Sequence, residues 1–218
     1  MRPLDSAIAS EVERLGAILR GGGVVAYPTE TFYGLGALAR DAAAIERLAR
    51  AKGRPEGKPL PLVAADVAMV EEVAELAGLA RRLADRFWPG PLTLVLPARS
   101  GLPDAITGGT GTVGIRVPGS DIARALCRAA GGPIVSTSAN PSGGPPPSEA
   151  GALDAALAAR LDGILDAGPS PGGLPSTVVS AVGGRLELLR DGAIPFAAIA
   201  TFARSPRLPP LPPVPRTG

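Results

Sequence analysis

Residues 24–40 read VVAYPTETFYGLGALAR. The run Val24–Tyr27 is short, apolar and partly β-branched, which predicts a buried strand that stops at Pro28. The stretch 28–40 reads as a loop carrying Thr29, Glu30 and Thr31 directly past the strand end. In open α/β sheets ligands bind beyond strand ends, so this junction of apolar strand and hydroxyl-rich loop is a candidate site. The alternative is a plain turn, for which Thr is well suited.

Working outward, helices and strands alternate. Ile8, Val12, Leu15 and Leu19 form one helical stripe, with Asp5 or Ser6 as cap and Gly21–Gly23 as stop. Asp41 caps a helix from Ala42 to about Ala51, ended by Gly53. Leu60–Val63 reads as a strand that Pro61 pushes to an edge or bulge. Asp66 opens a helix, and another runs from about Leu79 to Phe87, stopped by Trp88-Pro89-Gly90-Pro91. Leu92–Leu96 and Val113–Val117 are strands, Asp121 opens a further helix, and Ile134–Ser136 is a strand. A helix is expected from Ser148 or Glu149 to about Arg160, and a strand over Ile164–Asp166. Val178–Val182 and Leu186–Arg190 flank Gly183-Gly184 as a hairpin, and an amphipathic segment spans Ile194–Phe202. The class is α/β with a mixed sheet. Residues 1–203 read as one domain and 204–218 as a proline-rich tail. In that tail Leu208, Leu211 and Val214 recur every third residue, as on one edge of a polyproline II helix.

Composition excludes several chemistries. There is no histidine, which removes Ser-His-Asp and Cys-His catalysis and the usual zinc sites. The single cysteine, Cys127, permits no internal disulfide and reads as a packing residue. A net charge of +2 does not announce a nucleic-acid binder, although a local basic cleft fits it. The N-terminus has neither a signal-peptide nor a membrane-span pattern, so the cytoplasm is the expected compartment. Walker, dinucleotide and nucleophile-elbow patterns fail: Gly21–Gly23 and Gly108-Gly109-Thr110-Gly111 precede strands rather than follow them.

The remaining polar residues gather into a few groups. Lys52, Arg54 and Lys58 lie in KGRPEGKP, a plausible triphosphate clamp, against the simpler reading that Lys52 answers a helix dipole. Ser136, Thr137, Ser138 and Asn140 follow Ile134–Val135. On Val113–Val117, Gly114 and Arg116 share the face opposite the apolar one, suiting a carboxylate, or else solvent. Arg190 reads as a surface residue beside Asp191.

Taken in order, VVAYPTETFYGLG, KGRP, FWPGPLTLVL, VGIRVP, PIVSTSAN, PSTVV and LLRDG resemble the YrdC/Sua5 family over about residues 5–192. The resemblance includes its K-x-R and S-x-N signature, Lys52-Gly53-Arg54 and Ser138-Ala139-Asn140. It implies a twisted α/β sheet around a deep basic cavity. It also implies the synthesis of threonylcarbamoyl-AMP and pyrophosphate from ATP, bicarbonate and L-threonine, with magnesium on the nucleotide and no dedicated protein ligands for it. The product serves modification of adenosine 37 in tRNAs, through separate transferase proteins.

By position, the resemblance makes Lys52 and Arg54 the catalytic phosphate-binding pair. It adds Thr112, Ser138, Asn140 and Arg190 to the ATP site, and gives Thr29, Arg116, Ser136 and Ser176 to threonine. Longer members carry a histidine where this chain has Val63, and a further C-terminal domain. In those members the segment after this domain crosses the cavity mouth, so one expectation is that the tail folds back there; the simpler one is a disordered end. Two alternatives stand beside this reading: a paralogue with a different carbamoyl acceptor, as in hydrogenase maturation, and an RNA-binding module. Stacking on single strands needs aromatics, and this chain has one Trp, two Tyr and four Phe.

Overall fold

A computed structural model describes residues 4–54 and 57–205. The tail expected to return to the cavity mouth lies almost wholly outside the described residues, as do Pro55 and Glu56 of the KGRPEGKP loop.

The chain opens with α1 (Ser6–Arg20), whose first turn is capped by the Asp5 carboxylate accepting from the Ala7 amide. It continues through β1 (Val25–Pro28), β2 (Tyr33–Gly36) and α2 (Ala42–Lys52). Asp41 caps α2 at the Ala44 amide, and Gly53, at φ 61°, closes it in the left-handed conformation that glycine tolerates. Next come β3 (Leu62–Val63), α3 (Val67–Glu71), α4 (Gly78–Phe87), β4 (Leu92–Pro97), α5 (Asp104–Thr107) and β5 (Thr112–Arg116). Then follow α6 (Asp121–Ala130), β6 (Ile134–Val135), β7 (Thr137–Ser138), α7 (Ala155–Ala158) and β8 (Gly163–Ile164). The body finishes with β9 (Thr177–Ser180), β10 (Glu187–Arg190) and α8 (Phe196–Arg204).

The expected mixed sheet is divided in two. One sheet has the order β7-β2-β1-β8 and the other β10-β9-β4-β5-β3-β6, each combining parallel and antiparallel neighbours. The division occurs at Ser136. Its amide donates to the Pro61 carbonyl at 2.8 Å, after which the chain leaves β6 in one sheet and enters β7 in the other. The strand expected over Ile134–Ser136 therefore becomes two short strands on either side of a crossover.

Three local expectations change. Part of the stretch read as loop is β2, paired antiparallel to β1 with Tyr27 opposite Gly34. Gly34 and Gly36 weaken its strand signal, but a Cβ on Gly36 would lie 3.0 Å from the Tyr27 ring, so the small residue is what lets the ring pack there. β3 is internal rather than an edge, since Leu62 pairs with both Ile115 and Val135. Pro61 is compatible because the ladder begins after it. The helix expected up to Arg160 breaks into a 3₁₀ turn, Ala150–Ala152, and the single turn of α7. Asp154 accepts from the Leu157 amide at 2.8 Å and so starts a new helix where the old one would have continued.

Two apolar clusters hold the body. The larger joins the sheets to α2, α3, α4 and α8; the smaller packs α1 and α6 on Tyr27, Val63 and Leu165. In the smaller, Gly16 lies so close to α6 that a Cβ there would meet Ala129 at 2.5 Å. Among the described residues no helix is long and apolar enough to cross a membrane.

Candidate active site

Both sheets contribute walls to one cavity of about 1190 Å³. Lys52, Arg54, Lys58, Arg116 and Arg190 line it, and among the described lining residues there is no carboxylate. Such a wall favours a polyanion. The ten residues that the resemblance assigns to the site all face this space, namely Thr29, Lys52, Arg54, Thr112, Arg116, Ser136, Ser138, Asn140, Ser176 and Arg190, whereas Glu30 of the same candidate loop does not.

At one end the K-x-R and S-x-N segments meet. Lys52 is buried, at 5% exposure, in the last turn of α2. Its ammonium donates to the Ser138 carbonyl at 2.6 Å and the Asn140 carbonyl at 2.7 Å. Burial, and then the charge of Arg54, lower its pKa to about 8. Arg54 donates through Nε to the Lys58 carbonyl and through Nη2 to the Pro59 carbonyl. Burial lowers its pKa as well. Asn140 fixes the loop behind it by donating to the carbonyls of Pro141 and Gly144. Thr112 opens β5 and exchanges a hydrogen bond with Thr110 at 2.8 Å.

The other end is centred on Ser176. Its hydroxyl lies 2.9 Å from Thr93 Oγ1, and it receives Arg190 Nη2 at 3.1 Å and Arg116 Nη1 at 3.4 Å. Arg190 also donates to the Ser176 carbonyl at 2.7 Å, so its guanidinium is tied to this wall although the residue as a whole stays exposed, as the surface reading expects. The register of β9 and β10 slips between Leu188 and Arg190, and such a bulge re-aims side chains; Leu189 and Arg190 both reach the cavity. Burial, and then the charge of Arg116, hold the Arg190 pKa below its ordinary value. Thr29 is committed to the turn: it donates to the Phe32 carbonyl at 2.7 Å and accepts the Thr31 and Phe32 amides. Thr29 thus makes the turn and also lines the cavity.

Thr93 escaped the sequence reading. Its signal was available, since it is the polar position between Leu92 and Leu94, whose side chains fill the core. Val63, which stands where longer members have a histidine, is packed in the smaller cluster and does not line the cavity. From that approach Pro61 does.

With this geometry in place, the family model for Sua5, YciO and YrdC, described as "Telomere recombination", matches residues 17–192. The chain belongs to the Sua5/YciO/YrdC family. A threonylcarbamoyl-AMP synthase of Bacillus subtilis is 43% identical over 189 residues, covering 84% of this chain and 54% of the relative. One from Thiobacillus denitrificans is 42% identical over 173 residues, covering 79% and 92%. The crystal structure of Pyrococcus abyssi Sua5 complexed with L-threonine superposes with a TM-score of 0.83 at 38% identity, covering 92% of this chain and 58% of that one. The chain therefore spans about half the length of some family members and nearly the whole of others.

Proposed function

We propose that this chain catalyses formation of threonylcarbamoyl-AMP from L-threonine, bicarbonate and ATP. The observation that carries the reading is the single cavity that gathers all ten residues, with cations at both ends and no carboxylate among its described lining. The names of the family members above support it.

The chemistry asks for positioning more than for covalent help. The amine of threonine adds to the carbon of bicarbonate or CO2 to form a carbamate, and from bicarbonate one water leaves. A carbamate oxygen then attacks the α-phosphorus, and the bond to the β-phosphate oxygen breaks, releasing pyrophosphate. Lys52 and Arg54 neutralise charge growing on that leaving group, a preorganised electrostatic role. Arg116 holds the threonine carboxylate through its planar fork. Ser136, Ser176 and Thr29 frame the amino acid, and Thr112, Ser138, Asn140 and Arg190 the nucleotide. No histidine is required, because the attacking groups come from the substrates. Magnesium carried on the phosphates of ATP would add to the charge neutralisation by Lys52 and Arg54; the described wall itself offers hydroxyls and cations. The adenylate passes to tRNA-modifying transferase proteins.

The test is incubation with ATP, magnesium, bicarbonate and threonine, followed by mass detection of the adenylate. The expected result is product that disappears when threonine or bicarbonate is omitted. Adenylate formed equally well without threonine would assign a different acceptor. RNA binding with a steep salt slope and no adenylate would assign a binding module.

A further inference from the structure

Glu30 is an acid whose carboxylate oxygens are buried beside Arg116, and the mechanism above does not use it. It follows Thr29 in the turn between β1 and β2, with its stem beside Gly119, where an added Cβ would lie 3.6 Å from Glu30 Cβ. Its carboxylate oxygen Oε1 lies 3.2 Å from Arg116 Nε, with the two side chains 16% and 8% exposed. Neither Glu30 oxygen nor Arg116 Nε makes a well-formed hydrogen bond, and all three atoms are buried. Glu30 does not line the cavity, whereas Arg116 does. The acid therefore stands behind the arginine, on the side away from the substrate space.

Two consequences follow from elementary electrostatics. Arg116, buried, and Arg190, an exposed residue whose guanidinium reaches inward, converge on one hydroxyl, Ser176 Oγ, so two like charges repel each other there. A buried cation without a counter-charge is costly, and Glu30 supplies that charge without entering the cavity. Second, a guanidinium has five N–H donors in a rigid fork. With Nε facing Glu30, Arg116 keeps Nη1 on Ser176, which lines the cavity, so the end of the fork lies where a carboxylate can meet it.

We propose that Glu30 is a positioning residue for the amino-acid substrate: it sets the orientation of Arg116 from behind. This rests on the assignment of Arg116 to the threonine carboxylate. The unmade hydrogen bond leaves room for the pair to tighten when a carboxylate draws the fork into line.

The experiment is a double-mutant cycle on Glu30→Gln and Arg116→Lys, read as apparent KM for threonine and for ATP. Glu30→Gln keeps the shape and removes the charge. It is expected to raise the threonine KM by about 10- to 100-fold, the scale of a small misplacement of a binding group, with the ATP KM within about twofold. If Glu30 acts through Arg116, the double variant should lose no more than Arg116→Lys alone, whereas an independent structural role would multiply the two losses. Glu30→Asp, which restores the charge on a shorter stem, should recover part of the KM, and it carries the test if Glu30→Gln does not fold. A raised threonine KM in Arg116→Lys beside an unchanged one in Glu30→Gln would overturn the proposal alone. An unchanged KM in Arg116→Lys would overturn the carboxylate assignment and the proposal with it. A lowered KM in Glu30→Gln would make Glu30 a competitor of the substrate and overturn the positioning role.

Discussion

The two ends of the cavity solve the same problem, keeping cations in a partly dry space, by different means. At the Lys52 end the ammonium is held by backbone carbonyls of Ser138 and Asn140, and Arg54 by those of Lys58 and Pro59. At the Arg116 end a full carboxylate, Glu30, stands behind the guanidinium. Carbonyls satisfy donors but leave the positive charge uncancelled, so the first end keeps its attraction for phosphates. A carboxylate cancels charge, so the second end gains fixed geometry at the expense of field. Under the proposed function, the difference suits a polyphosphate at Lys52 and Arg54 and a singly charged amino-acid carboxylate at Arg116.

The comparison breaks most visibly at Lys52 and Arg54. Either change to Ala should lower catalytic efficiency by about 10²- to 10³-fold, as loss of one electrostatic stabiliser does. Their effects on folding should differ. Lys52 ties the end of α2 to the 138–140 segment, and its removal should also destabilise the protein by about 1–3 kcal/mol through lost charge-assisted hydrogen bonds. Arg54 lies in the loop, and Arg54→Ala should melt close to the wild type. Thermal denaturation beside steady-state kinetics checks both, and equal melting of the two variants would erase the distinction. At 5% exposure in the last turn of α2, Lys52 belongs to the packed body as well as to the cavity wall.

Titration sharpens the contrast at one end only. Lys52 loses its proton near pH 8 when folded, below the ordinary lysine range. Above pH 8 the clamp loses a charge, so the ATP dissociation constant should rise, approaching about tenfold over the next pH unit or two. Stability should move the other way. Between about pH 8 and pH 10.4 the unfolded chain binds more protons than the folded one, so this group's contribution grows as pH rises and is absent below that window. Calorimetric ATP titrations from pH 7 to pH 9.5 check the first trend, and Lys52→Arg should flatten both.

The smallest effect concerns the amino-acid end. Serine lacks one methyl group of threonine, worth about 1 kcal/mol, so its catalytic efficiency should be lower by about fivefold. Equal use of the two would mean that the wall around Thr29 and Ser136 does not read the methyl.

What the sequence made legible follows a physical line. Caps such as Asp5, Asp41 and Asp66 act over three residues and could be read directly. Lys52, Arg54 and Arg116 stood out because cations in a Gly/Pro loop or on a Gly-flanked strand face want an explanation. Hidden from view were relations made by tertiary packing. Glu30 and Arg116 are far apart in sequence, and nothing local marks their pairing. Ser136 looked like a strand end, yet its position at the change of sheet depends on Pro61 accepting its amide. β2 was obscured by its glycines, of which Gly36 leaves room for the Tyr27 ring.

Cys127 offers a use that its chemistry would not suggest. It is wholly buried in the smaller cluster, between α6 and the Val63 carbonyl, and burial pushes its thiol pKa up to about 12. No thiol reagent can reach it while α1 and α6 stay closed over Tyr27. As the sole thiol in the chain, it is a native timer for the opening of that half of the molecule. The rate at which a reagent labels it, with and without ATP or threonine, would report whether filling the cavity also locks a cluster that touches no substrate.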